Sequence, residues 1–218
     1  MKDFKEYIKN PVPLVEHLSQ ESRKQANFVV DSYFSPCINA GFHKSQPEIV
    51  GWYDGAEGAV IRNKILYNVG IQENDSVLDV GCGVAHFYNF LESKGWNGEY
   101  LGIDPNRQAI MLIDEYINTK CGTIEDLDDT KYDWVIASGV FNIGLQESIT
   151  FWTIHNMICR AKKGVVFNML RTPYFQPIYE SYDPKWVKTK LSEYDNREIR
   201  IVDGYFNDNS EFTVYFYI

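Results

Sequence analysis

The sequence predicts an α/β fold with a seven-stranded, mostly parallel sheet, an antiparallel last strand, helices on both faces and a helical N-terminal cap. Three features of the chain lead to this prediction. Strand-like and helix-like segments alternate between residues 76 and 169, a glycine-framed turn follows the first of these strands, and a hairpin pattern comes after the alternation. Such alternation requires crossover helices between parallel strands, and crossovers cover both faces of a sheet.

The region before residue 76 is predicted to be helical. Apolar residues at 14–18 and 28–34 have helical spacing on either side of a polar run, and residues 61–69 repeat that spacing. Between them, residues 35–55 are punctuated by glycine and proline, which predicts an irregular segment. We therefore expect a helical cap or lid segment over residues 1–55 and an α/β domain over residues 56–218.

Short apolar runs predict the strands in chain order. Five precede the hairpin, at residues 76–80, 99–103, 119–122, 132–137 and 164–169. Helical spacing between them predicts helices near residues 87–95, 110–117 and 145–160. The β-rich segments 199–202 and 212–217 then flank turn-forming residues, so the final strand should run antiparallel.

Composition is that of an ordinary globular protein. Hydrophobic residues make up 44% and charged residues 23% of the 218 residues, which predicts one domain. The net charge of −9 disfavours binding to nucleic-acid phosphates. The four cysteines are widely spaced and no metal-ligand pattern occurs, so we expect reduced thiols and no metal. The chain shows no leader pattern and no apolar run of membrane-spanning length, so we expect a cytoplasmic protein.

The glycine turn is the most informative motif. Asp79 lies near the end of the first strand-like run, and Gly81 and Gly83 frame the turn before the next helix. Glycines let the backbone approach a ligand, and this turn belongs to the edge where α/β sheets bind nucleotides. The charge of Asp79 would repel a pyrophosphate and attract an amino or sulfonium group. A nicotinamide or flavin fingerprint would also need glycine where this chain has His86.

The pattern Asp79-x-Gly81-x-Gly83 after an apolar strand resembles the first motif of the class I S-adenosylmethionine-dependent methyltransferases. The antiparallel hairpin at the end of the sheet is also typical of that Rossmann-like family, whereas Ala85 replaces a third glycine common in the family. The resemblance implies S-adenosylmethionine as cofactor, with Asp79, Gly81, Cys82 and Gly83 among the residues that bind it.

The resemblance also implies cofactor contacts after the second and third strands. Asp104, followed by Pro105, can accept two hydrogen bonds from a ribose diol. Thr123, Ile124 and Glu125 stand where the family contacts adenine, although the family often has an acid at the position of Thr123. Glu125 or backbone groups would then meet the adenine amino group and Ile124 its face. An acidic surface loop is the alternative.

The loop after the fourth strand resembles the family's segment between cofactor and acceptor. Ser138 and Gly139 are expected to line the cofactor site, and Asn142 to lie at the reacting groups. Phe141 is expected either to face the sulfonium, where an aromatic ring is worth ~0.5–2 kcal/mol, or to pack in the core.

Upstream, residues 51–54 and the helix that bears Arg62 resemble the lid segment of a bacterial and phage group of small methyltransferase-like proteins. This likeness covers residues 50–218. Trp52 is expected at the cofactor, and the Arg62 guanidinium is the candidate partner for the cofactor's carboxylate. His43, in the glycine-punctuated segment, is the candidate general base.

We therefore expect an S-adenosylmethionine-dependent methyltransferase with residues 56–218 as its catalytic domain and a small molecule as its acceptor. Aromatic residues of irregular segments suggest a partly aromatic acceptor pocket, and packing under long loops is the equal alternative for them; they are Trp52, Tyr53, Tyr174, Phe175, Tyr179 and Tyr182. Two alternatives remain open, a methyltransferase of nucleic acid or protein and a cofactor-binding protein without catalysis. No membrane partner is expected.

Overall fold

The computed structural model describes residues 12–52, 54–173, 179–194 and 197–218. These residues form one seven-stranded sheet. Its strands are β1 (Val77–Val80), β2 (Tyr100–Asp104), β3 (Thr119–Cys121), β4 (Tyr132–Ala137), β5 (Ala161–Leu170), β6 (Ile199–Asp203) and β7 (Glu211–Tyr217). Neighbours among β1 to β5 pair in parallel, and β7 runs antiparallel to β5 and β6. The predicted mostly parallel sheet with an antiparallel last strand is confirmed.

The strand order β3-β2-β1-β4-β5-β7-β6 places β1 beside β4 at the centre of the sheet. From this point the chain builds outward in one direction through β2 and β3, and in the other through β5. Val80 pairs with Ala137, so β1 and β4 end level with each other. The chain continues from β1 to β2 on one side and from β4 to β5 on the other, and α/β folds bind ligands in the crevice at the carboxyl edge of the sheet at such a switch point.

Helices precede and cover the sheet. The N-terminal part contains α1 (Val12–Val29), a π-helix (Val30–Phe34), α2 (Ser35–Asn39), a 3₁₀ turn (Pro47–Val50) and α3 (Gly55–Tyr67). The later helices are α4 (His86–Ser93), α5 (Arg107–Ile110), α6 (Glu147–Arg160) and α7 (Pro184–Tyr194), with 3₁₀ turns at Ile124–Asp126 and Val140–Asn142. Among the residues described, no helix has both the length and the apolarity needed to cross a membrane.

Apolar side chains of the central strands alternate between two cores, one on each face of the sheet. Val135 of β4 packs in the cluster that contains Met157 of α6, and the next residue, Ile136, packs in the cluster that contains Leu66 of α3. Leu18 of α1 belongs to the first of these clusters. The N-terminal segment therefore shares the core of the sheet.

The structure contains two helices that the sequence did not predict, α2 within the segment expected to be irregular and α7, and it differs from the predicted helices in two further places. The polar run at residues 19–27 does not interrupt α1, because Gln25 is buried there and its side-chain oxygen accepts the backbone N–H of Gln146. The helix predicted over residues 110–117 is reduced to α5, and the residues after it form turns. Met111 is 75% exposed, so helical spacing of apolar residues here does not mark a packed face.

Phe141 provides a test of how the core supports the crevice. It is fully buried, and its ring meets the ring of Phe167 edge-on at a centroid distance of 5.3 Å. We expect Phe141→Ala to lower the free energy of unfolding by ~3–5 kcal/mol, because the truncation leaves a cavity in the core beside Phe167. Urea denaturation would measure this loss.

The control for this substitution is Phe28→Ala on α1. The Phe28 side chain is 68% exposed, so its truncation should change the unfolding free energy by no more than ~0.5 kcal/mol. Equal effects of the two substitutions would contradict the core position of Phe141.

Candidate functional site

A cavity lies at the carboxyl edge of the sheet, between the ends of β1, β2 and β4 and the N-terminal segment. Its lining includes most of the residues singled out from the sequence. They are Trp52, Arg62, Asp79, Gly81, Cys82, Gly83, Asp104, Pro105, Ser138, Gly139 and Asn142. Residues singled out from separate segments of the sequence therefore line one continuous cavity.

The glycine turn after β1 has a backbone that disfavours side chains. Gly81 and Gly83 have φ of +72° and +56°, in the left-handed region where glycine is favoured. A Cβ on Gly81 would lie 2.4 Å from Cγ2 of Val140, and one on Gly83 would lie 2.9 Å from Cγ1 of Val50. The turn is thus closely covered by the loop after β4 and by the N-terminal segment.

Asp104 fixes the turn after β2 to the turn after β1. One carboxylate oxygen accepts the backbone N–H of Gly83 at 2.8 Å, and the other accepts that of Asn106 at 2.7 Å. Burial raises the pKa of Asp104 to about 6, although these two hydrogen bonds lower it. Each carboxylate oxygen has a second acceptor site, so Asp104 can also accept hydrogen bonds from a ligand in the cavity.

Asp79 is a second buried carboxylate in the lining of the cavity. It is 2% exposed, and one of its oxygens accepts the hydroxyl of Tyr100 at 2.8 Å. Burial raises the pKa of Asp79 to about 7, the hydrogen bond from Tyr100 lowers it, and the charge of Asp104 raises it further. Two carboxylates that are costly to ionise together make this wall favourable for a cationic ligand.

Arg62 of α3 lies in the lining between the sheet and the N-terminal segment. Its Nε donates to Oε2 of Glu211 at 2.9 Å, and its Nη1 is 2.7 Å from Oδ2 of Asp54. The guanidinium also stacks 3.7 Å from the centroid of Trp52 and 4.7 Å from that of Phe206. Arg62 therefore brings into the cavity a positive charge that two carboxylates already compensate.

Glu211 and Asn168 extend this network to the loop after β4. Asn168 donates its amide Nδ2–H to Glu211 at 2.7 Å, and its oxygen accepts the backbone N–H of Gly139 at 2.7 Å. A Cβ on Gly139 would lie 2.4 Å from the ring of Trp52. Gly139 is thus held by a hydrogen bond to Asn168 of β5, which Glu211 of β7 anchors, and the ring of Trp52 packs against it.

Asn142 is buried in the lining, and its amide oxygen accepts the backbone N–H of Leu170 at 3.0 Å. His86 also lines the cavity, and its Nε2 lies 2.7 Å from the carbonyl oxygen of Lys44. Burial lowers the pKa of His86, although the bond to this carbonyl raises it. The imidazole is therefore neutral near pH 7, and its Nε2–H holds the turn around Lys44 against α4.

Five of the predicted site residues do not line the cavity: His43, Thr123, Ile124, Glu125 and Phe141. His43 is exposed, with Nδ1 2.8 Å from the hydroxyl of Ser45. Phe141 lies in the core, which is the second of its two predicted places. Ile124 is likewise packed in the core, and Thr123 forms a capping box with Asp126 at the start of the 3₁₀ turn.

Glu125 has an unusual environment. Both carboxylate oxygens are buried and have no hydrogen-bond partner among the described residues. The turn that holds Glu125 follows β3, whose Cys121 pairs with Asp104. The orphaned carboxylate therefore belongs to the edge of the sheet where the cavity lies.

Sequence reasoning missed several residues of the site. Tyr33 and Phe34 of the π-helix, Asn106 and Val140 line the cavity, while Asn168 and Glu211 support it. Two sequence signals could have indicated such residues. One is the helical spacing of residues 28–34, and the other is the occurrence of polar Asn168 and Glu211 within buried strands. Of the predicted aromatic pocket, Trp52 and Tyr179 line the cavity and Tyr182 lies in the core, whereas Tyr53, Tyr174 and Phe175 lie outside the described residues.

Comparison with known proteins agrees with this architecture. Residues 78–150 match a family model described as a methyltransferase domain. Rv1506c of Mycobacterium tuberculosis, a protein provisionally named as a methyltransferase, is 30% identical over 105 residues. That match covers 44% of this chain and 63% of the relative, which is less than two thirds of the relative's length.

Solved structures share the fold at low sequence identity. An S-adenosylmethionine-dependent methyltransferase from Archaeoglobus fulgidus has a TM-score of 0.61 and 16% identity over 76% of this chain and 96% of its own. The magnesium protoporphyrin IX methyltransferase of Synechocystis, solved with bound S-adenosylmethionine, has a TM-score of 0.60 and 13% identity over 93% of both chains. Residues 78–150 are therefore similar to a methyltransferase domain, and the chain shares the fold of solved S-adenosylmethionine-dependent methyltransferases.

Proposed function

We propose that the protein transfers the methyl group of S-adenosylmethionine to a small-molecule acceptor. The observation that carries this proposal is the pair of buried carboxylates, Asp79 and Asp104, at the ends of β1 and β2 beside a glycine turn. A nucleoside whose side arm is cationic matches both features, since the ribose needs acceptors and the cation needs negative charge.

The residues present fit this cofactor. Asp104 would accept the ribose hydroxyls, and the unpartnered Glu125 carboxylate would accept the adenine amino group. Asp79 would face the cationic part of the methionine arm. The buried Nη1 of Arg62, which lies near Asp54 but has no hydrogen-bond partner among the described residues, would donate to the carboxylate of that arm. Gly81 and Gly83 line the cavity without side chains, so the backbone of the turn could approach the nucleoside.

Bound S-adenosylmethionine supplies an electrophilic methyl group on a sulfonium. With the cofactor bound, a lone pair of the acceptor would form the new bond to the methyl carbon while the electron pair of the carbon–sulfur bond stays on sulfur, and a protic acceptor would lose its proton to bulk solvent when the product leaves the site. The task of this chain is to hold the two reactants in line, which can contribute up to ~7–11 kcal/mol. Asn142, fixed through Leu170 and placed in the lining, would orient the acceptor.

The N-terminal segment would act as the cover of the site. Val50 packs over Gly83 and Trp52 packs over Gly139, so residues from the 1–55 segment close on both central turns. Such a cover excludes water from the reacting groups. We accordingly assign residues 1–55 to a cap and residues 56–218 to the catalytic domain.

A small molecule is the acceptor that best suits this enclosure. The cap and the loop after β4 meet over the site, and the chain carries a net charge of −9, which disfavours nucleic acid. The Synechocystis enzyme, which has the same fold, is named for a small porphyrin substrate.

The first test is direct binding. Calorimetry should show S-adenosylmethionine binding near the micromolar range, about −8 kcal/mol. Asp104→Ala should weaken it by ~1.5–3 kcal/mol, or roughly 10- to 150-fold, because the ribose loses a charged acceptor. The exposed Asp129→Ala serves as the control. Transfer of a labelled methyl group to a small-molecule fraction would then establish the reaction.

Two results would overturn this proposal. One is binding of NAD as tight as that of S-adenosylmethionine, which would mark a dinucleotide site. The other is an unchanged affinity in Asp104→Ala, which would place the ribose elsewhere.

The second test uses the pKa of Asp79, which is about 7 in the folded protein against an ordinary value of 3.8. Between these values the folded state holds a proton that the unfolded state has lost. The stability that Asp79 contributes is therefore complete below pH ~4 and is lost as pH rises through ~7. Asp79→Asn cannot ionise and its amide oxygen can still accept from Tyr100, so it should raise the unfolding free energy at pH 8 by ~1–3 kcal/mol.

Urea denaturation of the ligand-free protein at pH 5 and pH 8 would measure this gain. The gain in unfolding free energy should be smaller at pH 5 than at pH 8. The affinity of the Asp79→Asn variant for S-adenosylmethionine at pH 8 should be lower than that of the wild type, because the ligand's cation loses its partner. If Asp79→Asn changed the unfolding free energy by the same amount at pH 5 and at pH 8, Asp79 would ionise freely, contrary to its burial.

A further inference from the structure

The N-terminal helix presents an apolar stripe to the cavity. Ala26, Val29, Val30, Tyr33 and Phe34 all line it, and their spacing of three and four residues places them on one helical face. The stripe crosses from α1 into the π-helix, a rare element that often occurs at functional sites.

The segment after β4 completes this wall. Ile143 and Leu145 line the cavity, and a Cβ on Gly144 would lie 3.4 Å from Cγ2 of Val29. Ile143 also forms a backbone bridge with Tyr179. The stripe, Ile143, Leu145 and Tyr179 therefore form one surface, which we call the apolar wall.

The apolar wall and the carboxylates occupy different ends of the cavity. Asp79 and Asp104 belong to β1 and β2, whereas the wall's second half follows β4, on the other side of β1 in the sheet. A ligand whose nucleoside lies at the carboxylates would direct its reacting end towards the wall.

The apolar wall itself contributes no charged side chain to the cavity. Among the described residues, the lining contains the charged side chains Arg62, Asp79 and Asp104, all from α3, β1 and β2. Arg62 is paired with Glu211 and Asp54. A charged acceptor group against the wall would lose its hydration without gaining an ion partner, which is strongly unfavourable.

The wall does carry hydroxyl groups. Those of Tyr33 and Tyr179 lie 2.8 Å apart, and either can act as the donor. The Tyr33 hydroxyl also donates to the carbonyl oxygen of Gly51 at 3.4 Å, so the oxygen atoms of this pair can accept a hydrogen bond from a neutral donor such as a hydroxyl.

We infer that the site takes an uncharged, mainly apolar acceptor bearing a neutral polar group, and that the apolar wall selects it. This inference rests on the proposed function and names the class of its acceptor. The wall discriminates through desolvation, because it accepts an apolar body and rejects charge.

The test compares 2-naphthol with 2-naphthoate, probes of similar size that differ in charge at pH 7.5. Binding is followed by calorimetry on the full chain, with and without saturating S-adenosylhomocysteine. We expect 2-naphthol to bind about 10-fold more tightly or better, because 2-naphthoate would leave its charge unpaired at the wall.

A carboxylate introduced into the wall should remove this preference. Val30→Asp should weaken 2-naphthol binding about 10-fold or more and leave the affinity for S-adenosylhomocysteine within about 2-fold. The matched control is Val60→Asp on α3, where the side chain is 56% exposed. Should Val30→Asp fail to fold, Ala26→Glu makes the same change at a half-buried position of the stripe.

The outcomes separate this inference from the proposed function. Four results would overturn the inference. The two probes bind equally, 2-naphthoate binds more tightly, or neither binds at millimolar concentration. The fourth is a folded wall variant that binds 2-naphthol with wild-type affinity. Failure of S-adenosylhomocysteine to bind would contradict the proposed function, and the probes still report on the wall in the ligand-free protein.

Discussion

The buried ion pair between Arg62 and Glu211 determines how the N-terminal segment sits on the sheet. Burying two charges is unfavourable unless their hydrogen-bonding groups are satisfied. Here Glu211 also accepts from Asn168 and from the hydroxyl of Tyr205, and Arg62 also faces Asp54. Because Trp52 stacks on the same guanidinium, the cover over the cavity is held by charges that originate in β7.

The sequence predicted the sheet well and the helices less well. Buried parallel strands are continuous apolar runs, so β1 and β4 could be located within a residue of their observed ends. The helix predicted over residues 110–117 failed because the same spacing arises where Met111 simply remains exposed. Apolar periodicity shows what could be buried, and only tertiary packing decides what is buried.

Prediction of the site residues meets the same limit, because a local pattern is visible in the sequence and a tertiary contact is not. The glycine turn and Asp104 were predictable because each is a local pattern with a backbone reason. Glu211 and Asn168 were not, since their role depends on strands far apart in sequence coming together. Phe141 could not be assigned from sequence, because an aromatic residue beside a site has the same pattern whether it faces the ligand or the core.

The separation of Arg62 and Glu211 has a consequence for biosynthesis. The two residues are 149 positions apart, so Arg62 leaves the ribosome long before the carboxylate that neutralises it. Until β7 inserts between β5 and β6, the guanidinium lacks this partner and Gly139 lacks the fully anchored Asn168. A nascent chain can therefore hold several strands of the sheet while Arg62 and Gly139, which line the cavity, still lack the contacts that depend on β7.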